Sequence, residues 1–131
     1  MESDFRIERA PGTASGRSSG SACGHLVWVL ATLEDKELNL KEQISASFSK
    51  IDRVLSDLKT DKRYLLFANV RLSNVEHKEA FDIEWKAWVG DNPNHWPQLS
   101  CVGATLSAGT LVEIAVIAAR PLTSNTFFSI A

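Results

Sequence analysis

Pro97-Gln98-Leu99-Ser100-Cys101-Val102 and Leu111-Val112-Glu113-Ile114-Ala115-Val116-Ile117-Ala118 are the two stretches whose reading decides the fold. Both are apolar and of strand length. Ser107-Ala108-Gly109-Thr110 between them reads as a turn, so a closing hairpin is expected. One carboxylate, Glu113, interrupts the second strand. Burying an ionised carboxylate costs several kcal/mol unless it is paired or hydrogen-bonded. Glu113 is therefore satisfied by a partner, turned to a cleft, or protonated.

Upstream of these strands lies a mixed pattern of helix and strand. Phe5 to Arg9 alternates apolar and charged residues and suggests a short edge strand. Pro11 to Gly24 is rich in Gly, Ser and Ala and reads as a loop. Gly16 and Gly20 there would let the backbone curl around an anion, although no fuller phosphate motif accompanies them. His25 to Thr32 is a continuous apolar run of strand length. Leu40, Ile44, Phe48, Ile51, Leu55 and Leu58 then recur at helical spacing, and Asn39 with Glu42 forms a capping pair at the start. Asp61-Lys62 marks a turn. Arg63 to Leu72 returns to a strand, with Leu66, Ala68, Val70 and Leu72 expected on one face and Leu65, Phe67, Asn69 and Arg71 on the other. A second helix is expected over Glu76 to Val89, capped by Ser73 with Glu76. Its stripe is Phe81, Trp85, Trp88 and Val89, and Gly90-Asp91-Asn92-Pro93-Asn94 ends it. The segment from Pro121 to Ala131 is short and mixed.

With 131 residues, 44% apolar and 23% charged, the chain fits one soluble domain. A net charge of −2 provides no footprint for nucleic acid or an anionic membrane. No apolar run approaches the roughly 20 residues of a membrane span, and the N-terminus has no basic-then-apolar signal pattern. Two cysteines at unrelated positions suggest neither a disulfide framework nor a zinc site, and a cytoplasmic location is expected. No metal site is expected either: His25, His77 and His95 lie far apart, with no second ligand at metal spacing.

Most of the main strands are apolar on both faces, and two helices can cover only one face of their sheet. An uncovered apolar face is an interface or an aggregation hazard, and another copy of the chain is the simplest cover. The expectation is an α+β domain with two helices on one face of a mostly antiparallel sheet, oligomeric through the other face.

The order of elements resembles the Rid family of reactive-intermediate deaminases, also called YjgF-like or liver perchloric-acid-soluble proteins. Ser100-Cys101-Val102, Val112-Glu113-Ile114 and Ala118-Ala119 carry the likeness, along with Gln43, Ile51-Asp52 and the pattern Phe81, Trp85, Trp88-Val89. The resemblance covers about residues 17–120, which would make 1–131 one Rid-like domain with 1–16 and 121–131 peripheral. It implies a chorismate-mutase-like fold (Bacillus type) and a homotrimer with ligand clefts between subunits. It also implies small-metabolite ligands of carbonyl, imine or carboxylate type and no cofactor. Many members hydrolyse imines and enamines such as 2-aminoacrylate to ketoacids and ammonia. Some relatives have been described as ribonucleases or translation inhibitors, a reading that the net charge disfavours here.

The resemblance transfers the family glutamate, which positions or activates water, to Glu113, and the cleft-side cysteine to Cys101. The arginine that grips the substrate carboxylate corresponds to Leu99, which cannot do so. The pocket aromatic of the N-terminal loop corresponds to Arg17, whose guanidinium would replace the missing cation if its loop closed over the cleft. Ser-Gly at the end of the first core strand becomes Leu30-Ala31. Ser100 and Trp96 would line or rim the cleft. Glu113 is thus either a general acid/base or interface glue, and Cys101 either a reactive thiol or a small strand residue. Trp28, Trp85 and Trp88 read as core, His25 as a strand start and His77 as helix surface. The expected function is a trimeric metabolite-binding protein with weak or altered deaminase activity, the alternative being an active imine/enamine deaminase with a different substrate anchor.

Overall fold

A computed structural model describes residues 6–33 and 35–121. Phe5 and residues 122–131, for which an edge strand and a tail were expected, lie outside the described residues. Six strands and two helices follow one another: β1 (Ile7–Pro11), β2 (Ser18–Cys23), β3 (Leu26–Ala31), α1 (Leu40–Asp57), β4 (Leu65–Leu72), α2 (Lys78–Val89), β5 (Gln98–Gly103) and β6 (Val112–Ala119). One sheet holds the strands in the order β1-β2-β3-β6-β4-β5. Every pair is antiparallel except β4 with β5, which is parallel.

Helix α1 forms where its apolar spacing predicts. Asn39 accepts a hydrogen bond from the Glu42 amide while Glu42 accepts one from the Asn39 amide, completing the expected capping box. Helix α2 differs at its start. A single 3-10 turn, Val75–His77, precedes it, and the Asn74 side chain, not Ser73, accepts from the Glu76 amide. Gly90 ends α2, as expected.

The two helices cover one face of the sheet. Val27, Val29, Ala31, Ala68, Val70, Leu72, Val112, Ile114, Val116 and Ala118 are buried there against Ile44, Ile51, Leu55 and Phe81. Each fully buried Val, Leu, Ile or Phe among them contributes about 1.5–3 kcal/mol. Phe48 stacks on Trp88 at 4.4 Å, and the Trp88 indole donates to the Asp52 carboxylate at 3.1 Å. Residues that carried the family likeness thus clasp α1 to α2.

Three expectations are corrected. Ser18–Cys23 is a strand, not part of a loop. Its Ser-Gly-Ala composition is poor in β-formers, but β1 and β3 supply hydrogen bonds on both edges and α1 presses on its face. A Cβ on Gly20 would stand 2.7 Å from Val54 Cγ1 and 2.9 Å from the Trp28 carbonyl oxygen, so glycine there permits the close approach of α1 and β3. The closing hairpin does not exist. The turn at 107–110 is present, with Thr110 N donating to Ser107 O, yet β4 inserts between β5 and β6. Ala68, Val70 and Leu72 of β4 are fully buried in that central place, and α2 supplies the crossover that parallel β4 and β5 require. Finally, an irregularity between Leu65 and Phe67 breaks the alternation of β4. Leu65 turns inward, while Leu66 and Phe67 are both exposed.

Candidate functional site

The uncovered face of the sheet holds the candidate site. Leu26, Trp28 and Leu30 of β3 project there, paired with Ala119, Ile117 and Ala115 of β6. Phe67, Asn69 and Arg71 of β4 continue the face, and Gln98, Ser100 and Val102 of β5 close it at the edge. Trp28 is 41% exposed, so the expectation that it belongs to the core is corrected; Trp85 is buried and Trp88 partly so. A depression of ≈ 390 Å³ lies on this face, lined by Trp28, Leu30, Phe67, Asn69, Ile117 and the serines of β2.

Glu113 sits on the same face because Val112 and Ile114 point inward. Its cross-strand partner is Arg71, and Arg71 Nη1 stands 3.6 Å from Glu113 Oε1. The two side chains are 52% and 25% exposed, respectively. That separation is an ion pair too long for a hydrogen bond. Arg71 and Asn69 are the site residues that sequence reasoning left unassigned. Two polar residues two positions apart in an apolar strand were the available signal.

The other sequence-chosen residues divide among different places. Ser100 shares the face of Glu113, one strand beyond Asn69. Leu99 and Cys101 point to the opposite, helix-covered face and pack on the core. Burial pushes the Cys101 thiol above its ordinary value; Lys78 opposes this shift and Asp82 adds to it. Such a thiol is mostly protonated near neutral pH and is a weak nucleophile. Trp96 donates from its indole to the Gly90 carbonyl at 2.8 Å and lines a separate cavity of ≈ 370 Å³ with Trp85, Val89 and Pro97. Arg17 is exposed in the turn between β1 and β2, beside a cavity of ≈ 340 Å³. Strand β3 separates β2 from the strand that carries Glu113. One chain therefore brings Glu113 and Ser100 onto a common face and leaves Leu99, Cys101, Trp96 and Arg17 elsewhere.

Buried Gln43 ties α1 to the segment before β6. Its amide donates to Leu38 O and Gly109 O, both at 3.0 Å, and its carbonyl accepts from Leu111 N at 2.9 Å. The clamp ends two residues from Glu113 and sets where β6 begins. His25 donates from Nδ1 to Arg120 O at 3.1 Å, and His77 lies in the 3-10 turn before α2 with Nδ1 unbonded. Among the described residues no group of three or more His, Cys, Asp or Glu side chains is placed to hold a metal, and no helix is long and apolar enough to cross a membrane.

Comparison with known proteins adds the family. The model for the family described as endoribonuclease L-PSP matches residues 22–120. A RutC family protein from Haemophilus ducreyi is 31% identical over 86 residues, spanning 65% of this chain and 72% of the relative. A YjgF family member from Neisseria meningitidis has the same fold, with a TM-score of 0.80 at 24% identity over 92% of this chain and 99% of that one. A proposed translation initiation inhibitor from Salmonella typhimurium superposes with a TM-score of 0.77 at 26% identity, covering 88% of this chain and 98% of that chain. The six-stranded sheet with two helices, the order of its elements and these matches agree, and the chain belongs to the endoribonuclease L-PSP family, the group of YjgF and Rid proteins.

Proposed function

We propose that this protein is a cytoplasmic homotrimer of chorismate-mutase-like architecture that binds small carbonyl, imine or carboxylate metabolites in clefts between its subunits. Deaminase activity in it is weak or altered, and no cofactor is used. The observation that carries the reading is the open apolar face. Leu26, Trp28, Leu30, Phe67 and Val102 are each between 37% and 46% exposed on it, beside the carboxylate of Glu113. Contiguous apolar surface of this kind marks an interaction site. Covering it with sister subunits would contribute roughly 1 kcal/mol per large side chain. Leucine at position 99, where the family resemblance expects the carboxylate-binding arginine, argues for lowered activity, since its side chain has no donor and packs on the core.

Glu113 also supports a second reading, an active imine/enamine deaminase with a different anchor. In that reaction water adds to the C=N carbon while Glu113 takes its proton and returns it to the nitrogen, giving a carbinolamine. The carbinolamine hydroxyl then passes its proton to the nitrogen as the C–N bond breaks and C=O forms, leaving a ketoacid, ammonia and the carboxylate of Glu113 restored. Sedimentation velocity tests the assembly, and a monomer at micromolar concentration would overturn it. Ketoacid release from enzymatically generated imines separates the two activities. No rate above background over several imines rejects the deaminase, and a rate abolished by Glu113→Ala supports it.

A further inference from the structure

We propose that the cavity between the C-terminal end of α2 and the loop before β5 is a second ligand site, and that it takes a free aromatic α-amino acid as its zwitterion. The cavity shares no lining residue with the open face of the sheet, and the proposal does not depend on what that face binds.

The way α2 ends builds the cavity. Gly90 has φ +83°, a left-handed value that a side chain would strain, and the chain turns there. The 3-10 turn Pro93–His95 follows, with the Asn92 side chain accepting from the Asn94 amide. Trp96 then donates its indole N–H to Gly90 O at 2.8 Å, which fixes its ring beside the end of α2. The enclosed space of ≈ 370 Å³ has Trp85, Val89, Trp96 and Pro97 for apolar walls. Small-molecule sites measure roughly 300–1,000 Å³, so this one suits a metabolite with a single ring system.

Two polar features say what that metabolite carries. The first is Trp85, only 8% exposed and held from the core side by Phe48, Phe81 and Trp88 at centroid distances of 6.2, 6.1 and 5.6 Å. Its indole N–H has no acceptor among the described residues, yet the nitrogen is not sealed from solvent. The cavity is the opening that Trp85 lines. A donor-only group fixed in such a wall calls for an acceptor on the ligand. The second feature is a pair of opposite charges. Lys86 and Asp91 line the same cavity, both exposed, and neither has an ion pair or side-chain hydrogen bond among the described residues.

A zwitterion meets all three groups at once. Its carboxylate accepts from the Trp85 N–H and the Lys86 ammonium, its ammonium donates to Asp91, and its ring packs against the indoles. An aromatic acid without the amine would leave Asp91 unmatched. An aromatic amine without the acid would leave Trp85 and Lys86 unmatched.

The test is a titration of the full chain with L-phenylalanine, followed by two-dimensional proton–nitrogen NMR of the indole N–H signals. Trp85→Phe assigns the Trp85 signal by deleting it. That signal should move downfield and saturate at millimolar ligand, as the N–H gains an acceptor. Phenethylamine and 3-phenylpropionate, which lack the carboxylate and the amine respectively, should each bind more weakly than phenylalanine. Lys86→Met and Asp91→Asn should each weaken phenylalanine binding about 3- to 10-fold. Both are exposed positions, so these two variants carry the test should Trp85→Phe lose its fold. No saturable shift of the Trp85 signal, equal binding of all three compounds, or unchanged affinity in both charge variants overturns the proposal. A shift of the Trp28 signal in its place would seat phenylalanine on the open face, which also overturns it while leaving the proposed function standing. Binding at Trp85 in a protein that is monomeric and inert toward imines does the reverse.

Discussion

Replacing Gln43 by Ala should be among the most damaging single changes available. The side chain is 1% exposed and makes three hydrogen bonds, to Leu38 O, Gly109 O and Leu111 N. Each neutral hydrogen bond contributes roughly 1 kcal/mol, and each buried group left without a partner costs further. The expected loss is therefore about 3–4 kcal/mol, including the void left by the shortened side chain. In a domain of this size that corresponds to a melting temperature lower by about 10 °C. Urea unfolding at fixed protein concentration measures it, since assembly makes apparent stability concentration-dependent. Gln43→Met is the informative companion because it keeps volume and removes the polar bonds. Should both variants unfold within about 0.5 kcal/mol of wild type, the clamp between α1 and the start of β6 is not holding the structure. A loss in Ala alone would assign the effect to packing. A loss in both assigns it to the hydrogen bonds that place Glu113.

Gly20→Ala should destabilise by about 1–3 kcal/mol despite alanine's lower chain entropy, because its methyl meets Val54 and a backbone oxygen of β3; a more stable variant in urea would refute the close approach of α1. In a C23S background, Cys101 should react with iodoacetamide at pH 7 more slowly than a free thiol. Its rate should rise with pH around a midpoint above the ordinary thiol value, since burial holds the proton on. Labelling at or above the free-thiol rate would mean that Cys101 is a reactive group after all.

Local regularity explains which elements were legible in sequence. Leu40 to Leu58 repeats at the helical period and Asn39 caps it, so α1 was readable almost to the residue. Ser18–Cys23 was not, because its strand state comes from two neighbouring strands and not from its own composition. The hairpin expectation failed for a related reason. Strands β5 and β6 adjoin in sequence, but β4 takes the place beside β6 and leaves β5 at the sheet edge. Glu113 was recognisable as an anomaly in an apolar strand. Arg71 was not recognisable as its partner, since nothing local says that residues 71 and 113 lie opposite one another.

Residue order alone determined the secondary elements with strong periodicity, the shortage of helix to cover the sheet, the family likeness and the missing arginine at position 99. Those properties depend on neighbours within a few positions or on composition. Tertiary structure alone decided the strand order, the parallel pairing of β4 with β5, and the face to which each candidate side chain points. A strand apolar on both sides has no inward side until its partners and helices choose one, and that choice put Glu113 with Arg71 and turned Leu99 and Cys101 away.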